Sequence, residues 1–264
     1  MILPGLWRDL AERYERVRNT LMRTVFNRFA SINEFEARTS SQNGEDGILA
    51  EILRRLRIGP GFFVEFGVQD GSICNTALLA ANGWSGVYIE ADETLAARLG
   101  QRYASSTRIK SVQRFVTAEN IADTFAEAHV PREFDVLSID IDGNDYWVWR
   151  ALRAYHPRVV AIEYNAEHAP PERWVMKYNA MHRWDKTTYY GASLASYTAL
   201  AETMGYSLVG TEKTGVNAFF VRTDLIKASG FRAQSAAEGY HPVGYYGIHH
   251  ELGHLPKDGP FEAI

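Results

Sequence analysis

The sequence predicts a doubly wound α/β fold, a mostly parallel seven-stranded sheet finished by a C-terminal antiparallel hairpin. Three features predict it. Short apolar runs of strand type alternate with amphipathic helical stretches from position 62 to position 204, the pattern of parallel strands joined by right-handed crossovers. The last two apolar runs, 206–211 and 216–222, are joined only by Glu212-Lys213-Thr214-Gly215, which permits a hairpin and not a crossover. The first run, Phe62 to Phe66, ends at a glycine turn that opens a helix, where sheets of this kind bind ligands.

The elements follow in order. Residues 42–56 read as an amphipathic helix with acids in its first turn, stopped by Gly59-Pro60-Gly61. Strands are expected at 62–66, 86–90, 110–116, 134–140 and 158–163, with helices at 73–82, 93–103, 119–128 and 144–155 between them. A polar stretch at 166–190 carries Trp174, Tyr178, His182, Trp184, Tyr189 and Tyr190 and precedes a helix at 191–204. Its aromatics either stack on a sugar or aromatic ligand or pack as a lid on one another. The organisation is an N-terminal helical extension (1–40), one catalytic domain (41–226) with 166–190 as insertion or lid, and a C-terminal tail (227–264).

Composition narrows the class. The chain has 264 residues, 46% of them hydrophobic, enough to bury a full core. A net charge of −4 argues against a nucleic-acid binder that relies on a basic field. The single Cys74 forms no internal disulfide, which points to a reducing, cytoplasmic setting. No apolar run reaches the roughly 18 residues of a membrane span, and Arg8 and Asp9 interrupt the start too early for a signal peptide. Leu6, Leu10, Tyr14, Val17 and Leu21 instead sit at helical spacing beside Arg8, Arg13, Arg16, Arg18 and Arg23. That pattern suits a helix packing on its own domain, one pairing two subunits in a homodimer, or peripheral contact with an anionic membrane.

The turn Val64-Glu65-Phe66-Gly67-Val68-Gln69-Asp70-Gly71-Ser72 says most about the ligand. Gly67 lets backbone come close and Gly71 lets the turn tighten before a helix N-terminus with free N–H groups. A dinucleotide site would carry G-x-G-x-x-G around a pyrophosphate. Here the second glycine is missing, and Glu65 and Asp70 would repel phosphate while suiting a cationic amino-acid moiety. Glu90 ends the next strand, where an acid hydrogen-bonds ribose hydroxyls. A nucleoside bearing a cationic amino acid, S-adenosylmethionine, satisfies both demands.

Residues 41–226 also resemble the FkbM-like family of S-adenosylmethionine-dependent methyltransferases, or a close sister family. The resembling stretches are SQNGEDGIL, FFVEFGVQDGSICNT, NGWSGVYIEAD, DVLSIDIDGNDYWVWRAL, VVAIEYN and YYGASLASYTALAETMGY. The resemblance implies a class I methyltransferase sheet, with Glu65, Gly67, Asp70 and Gly71 at the methionine end and Glu90 at the ribose; Ser72 and Asp140 are further candidate cofactor contacts. It implies Thr117, Ala118 and Glu119 near the adenine, and Gln42 and Glu45 reaching over the cofactor. One departure bears on the substrate side: the family's Asp-x-Glu-Gly is Asp140-Ile141-Asp142-Gly143 here.

The expected reaction is O-methylation of a glycan, sugar or secondary-metabolite hydroxyl, with Asp140, Asp142 and His168 as candidate catalytic groups. Oxygen ligands also suit Mg²⁺ or Mn²⁺. A likeness to metal-dependent O-methyltransferases implies Asp140, Glu163 and Asn165 as its ligands, although Tyr164 separates the last two. The plainer alternative for Asp142-Gly143-Asn144-Asp145 is a turn and helix cap. Another class altogether is a catalytically silent scaffold of the same fold that binds a nucleoside or a partner. A remote third is a zinc hydrolase through His250-Glu251-x-x-His254, opposed by Gly253, by Pro256 and by the lack of a third histidine downstream.

Overall fold

The computed structural model describes residues 31–264. The expected N-terminal helix therefore lies outside the described residues, and of the extension only a 3₁₀ turn, Ile32–Phe35, is seen. Its Ile32 is buried against Gly210, where a Cβ would come within 2.6 Å of the isoleucine.

One seven-stranded sheet organises the chain. Its strands are β1 (Phe62–Phe66), β2 (Ser85–Glu90), β3 (Ile109–Gln113), β4 (Glu133–Ile139), β5 (His156–Glu163), β7 (Tyr206–Thr211) and β8 (Asn217–Arg222). The order is β3-β2-β1-β4-β5-β8-β7, with β1 to β5 parallel and β8 antiparallel to both neighbours. This is the class I methyltransferase fold, and all seven expected strands are present, with β3 ending early and β5 starting two residues before its expected start. A separate two-stranded ribbon joins β6 (Val175–Met176) to β9 (Phe261–Glu262).

The helices are α1 (Glu45–Leu56), α2 (Ala77–Ala81), α3 (Glu93–Arg102), α4 (Ile121–Glu127), α5 (Asp145–Ala151), α6 (Leu194–Met204), α7 (Thr223–Ser229) and α8 (Ala236–Gly239). Alternate residues of each strand feed two apolar layers, as burial on both faces requires. On one face Val64, Phe66, Val87 and Ile89 pack with Phe125 of α4, Trp149 of α5 and Tyr197 of α6. On the other, Phe63, Tyr88 and Val136 pack with Ile48 and Ile52 of α1, Leu79 of α2 and Leu99 of α3.

Side chains that capture backbone donors shorten several helices relative to expectation. α1 starts at Glu45 because Asp46 accepts from the N–H groups of Thr39, Ser40 and Ser41 at 2.6–2.8 Å. α2 starts only at Ala77 because Glu65 takes the N–H groups of Asn75 and Thr76, both at 2.9 Å. β3 ends at Gln113, three residues before its expected end, and 114–116 leave the sheet as a loop.

The tail does not trail into solvent. Tyr164 donates to the His241 carbonyl at 2.6 Å, Thr188 N–H to Leu255 O at 3.0 Å and Lys177 N–H to Pro260 O at 3.0 Å. It thus crosses the C-terminal ends of the strands and pins the insertion from above. No helix among the described residues is long and apolar enough to cross a membrane.

Candidate active site

A cleft of about 410 Å³ opens at the C-terminal ends of β1, β2 and β4. Strand order reverses between β1 and β4, so loops there diverge and leave a crevice. Its size suits a nucleoside-sized ligand.

Gly67 borders the cleft at φ +81°, and a Cβ on it would lie 1.5 Å from the Asp140 carbonyl oxygen. The glycine therefore allows the β1 turn to touch the end of β4, with Gly67 N–H bonded to Ile89 O and Asp140 N–H to Phe66 O. Glu65 lies beneath this turn and does not line the cleft. Oε1 accepts from Asn75 N–H and the Ser138 hydroxyl, and Oε2 from the N–H and hydroxyl of Thr76, so the carboxylate is saturated. Burial pushes its carboxyl above the ordinary range despite these bonds.

Other expected cofactor residues are also built into the scaffold. Asp70 accepts from Ser72 N–H and faces Arg102, while Gly71, at φ +72°, packs on Leu99. Glu45 is buried, bonded to Asn43 and to Asn217 of β8, and Gln42 is exposed. None of these side chains lines the cleft.

Glu90 does line it. One carboxylate oxygen accepts from Gln69 N–H at 2.7 Å and the other from Asp92 N–H at 2.8 Å. Each oxygen retains capacity for a further donor. The next wall is Arg114, Phe115 and Val116 rather than Thr117, Ala118 and Glu119. Those three sit behind it, where Tyr178 donates to Glu119 and accepts from Ala118 N–H. The early end of β3 produces this shift.

Asp140, Asp142 and Glu163 converge, with one carboxylate oxygen from each within 4.8 Å of the others. Glu163 Oε2 is buried without a hydrogen-bond partner. Burial, then the charges of neighbouring acids, holds the Asp140 and Glu163 carboxyls well above the ordinary range and raises Asp142 to about 6. The turn explanation applies to Asp145, whose carboxylate accepts from Ile141 N–H and Gly143 N–H, both at 2.8 Å. Asp142 adopts φ +53°, a backbone strain characteristic of functional turns. Asn165 stays out of the cluster: its amide donates to Thr188 O and Tyr190 O, and its oxygen accepts from Glu167 N–H. Asp142, not Asn165, completes the trio with Asp140 and Glu163.

The structure likewise brings His182 to the site and not His168. His168 stacks on Trp174 at 4.2 Å between centroids and pairs with Glu172 at 3.2 Å, outside the cleft. His182 borders the cleft, and its Nε2 is buried with no partner. Burial holds its imidazole below the ordinary value, so it is neutral near pH 7. The insertion completes the roof with Trp184 and with Arg183, whose guanidinium lies 4.9 Å from the Phe115 ring centroid. No spacing rule distinguishes one insertion histidine from the other. The packing of Gly143 does.

The H-E-x-x-H match is not helical. His250 has φ +61°, Gly253 has φ +82°, and His254 is packed against Trp184 and Tyr245. Among the described residues, the acid trio is the one group arranged to hold a metal ion, and it contains no histidine.

No protein-family model matches the sequence, and neither does any curated protein. Solved structures similar to the chain include the N-terminal domain of EvdMO1 with SAH bound (12% identity, 77% of this chain and 94% of that one, TM-score 0.44). Magnesium protoporphyrin IX methyltransferase from Synechocystis PCC 6803 with bound SAH aligns at 12% identity over 79% of this chain and 98% of that one, TM-score 0.45. The CurJ carbon methyltransferase aligns at 6% identity over 67% and 52%, TM-score 0.45. The fold assignment rests on the chain's own strand order.

Proposed function

We propose that the chain is an S-adenosylmethionine-dependent methyltransferase that modifies a hydroxyl of a sugar, glycan or other hydroxylated small molecule. The observation that carries this reading is the cleft at the strand-order reversal, with Glu90 on one side and the acids Asp140 and Asp142 on the other. Glu90 keeps acceptor capacity for a ribose diol, and Ile89, Phe115, Val116 and Ile141 offer apolar surface to a purine. Asp140 and Asp142 favour a cationic amino-acid and sulfonium moiety and disfavour a pyrophosphate.

When bound, S-adenosylmethionine supplies an electrophilic methyl group. The chain's residues orient the acceptor, exclude water beneath the insertion and manage the proton. His182, neutral and with Nε2 unpartnered, takes the proton that a hydroxyl acceptor loses. A divalent cation held by Asp140, Asp142 and Glu163 would lower the pKa of that hydroxyl; the bare Glu163 Oε2 and the oxygen-only donor set fit Mg²⁺ or Mn²⁺.

Calorimetric titration with S-adenosylhomocysteine, with and without Mg²⁺, tests the reading. Saturable micromolar binding supports it. No binding in either condition favours a silent scaffold of the same fold.

A further inference from the structure

Beside the cleft lies a second groove of about 350 Å³, and the two share His182 and Arg183. It has a different electrostatic character. In the first cleft the acids Glu90, Asp140 and Asp142 outnumber Arg114 and Arg183, whereas in the second Lys177, Arg183 and Lys257 outnumber Asp185. Lys257 is paired with that Asp185, which also accepts from Thr187 Oγ1 at 2.6 Å. Among the described residues neither Lys177 nor Arg183 pairs with a carboxylate. Two of the groove's three cations thus have no carboxylate partner among the described residues, on a protein whose net charge is −4.

The groove is assembled, not an accident of one segment. Lys177 comes from the insertion and Lys257 from the tail, brought together by the β6–β9 ribbon and by Lys257 N–H donating to Thr188 Oγ1 at 3.0 Å. Tyr178 and Tyr189 line the groove, and their hydroxyls are held by Glu119 and by the Pro260 carbonyl. Fixed rings beside cations that lack a carboxylate partner match a ring or sugar that carries an oxyanion.

We infer that this groove binds the oxyanion, phosphate or carboxylate, of a ring-bearing ligand whose other end reaches His182. Its role as the acceptor site rests on the methyltransferase reading. The charge difference then orients the acceptor: its anion is repelled by the acids of the cleft and drawn to Lys177 and Arg183, which turns its hydroxyl toward His182.

The test is calorimetry on the full chain with benzoate, phenyl phosphate and the neutral benzamide as probes, beside a titration with S-adenosylhomocysteine. Benzoate or phenyl phosphate binds, more weakly as salt rises, and benzamide does not; the better of the two anions tells carboxylate from phosphate. The double variant Lys177→Gln/Arg183→Gln loses about tenfold or more in anion affinity, as removal of charge-assisted contacts requires. Arg173→Gln, exposed on the same insertion but outside the groove, changes nothing. Equal affinity for benzamide and benzoate, or unchanged anion binding in the double variant, overturns the inference. S-adenosylhomocysteine binding without anion discrimination removes the groove proposal alone. Anion discrimination without S-adenosylhomocysteine binding removes the donor reading and leaves the groove standing.

Discussion

The imidazole of His182 lies on Gly143: a Cβ at position 143 would sit 2.4 Å from His182 Cδ2 and 3.0 Å from Nε2. The loop after β4 and the insertion after β5 meet at this contact, and it places a neutral histidine beside the acid trio. Asn144 secures the same junction, donating to Asn179 O at 2.8 Å.

Gly143→Ala should therefore displace the ring with little effect on the sheet beneath. Burial is the cause of the lowered His182 pKa, so a displaced, wetter imidazole titrates closer to the ordinary 6.5. Ring-proton NMR checks this: the midpoint lies below 6.5 in the parent and rises in the variant. An identical midpoint in both would separate the histidine's environment from Gly143. In an activity assay, displacement of the proposed base by about 1 Å lowers turnover on the order of 100-fold.

The acid trio makes stability depend on pH in a defined direction. Asp142 titrates near 3.8 when unfolded and at about 6 when folded, raised by burial and by Asp145. Between those values the folded chain binds more protons, so stability is highest below the window and falls as pH rises through it. Asp142→Asn should raise the melting temperature at pH 8, by on the order of 3 kcal/mol at most in stability, and have little effect at pH 4. Mg²⁺ should stabilise the parent at pH 8 and lose that effect in the variant. Thermal denaturation at both pH values reads all of these outcomes, and a variant destabilised equally at both would dismiss the like-charge explanation.

Glu90 holds the turn through Gln69 N–H and Asp92 N–H and, on the proposed reading, also binds the ribose. Glu90→Gln keeps an acceptor but loses the charge that two backbone N–H groups and the ribose share. S-adenosylhomocysteine affinity should drop at least about tenfold, with a stability loss of about 1–3 kcal/mol from the disturbed turn. Titration beside denaturant unfolding resolves the two contributions; unchanged affinity would remove Glu90 from the ribose.

Gly67→Ala is expected to be the most damaging small substitution. At φ +81° with the Asp140 carbonyl 1.5 Å from the new methyl, β1 and β4 must part. The loss should exceed about 3 kcal/mol, beyond the range of ordinary surface changes, and urea unfolding measures it.

Much of this molecule is legible in one dimension because the relevant signals are local. Strand and helix periodicity, the four-residue hairpin link and the positions of Glu90 and Asp140 at strand ends all depend on neighbours a few residues away. The hydrophobic pattern that places β1 to β5 in one buried sheet also places their C-terminal ends together, so the cleft's location follows from the order of elements. Which side chains enter it does not follow. Glu65 reads as a ligand contact in sequence, yet four donors from Asn75, Thr76 and Ser138 saturate it. His182 rather than His168, Asp142 rather than Asn165, and the meeting of Lys177 with Lys257 depend on contacts between segments up to 80 residues apart. Packing and hydrogen-bond competition settle those contacts, and only the folded chain brings the competitors together.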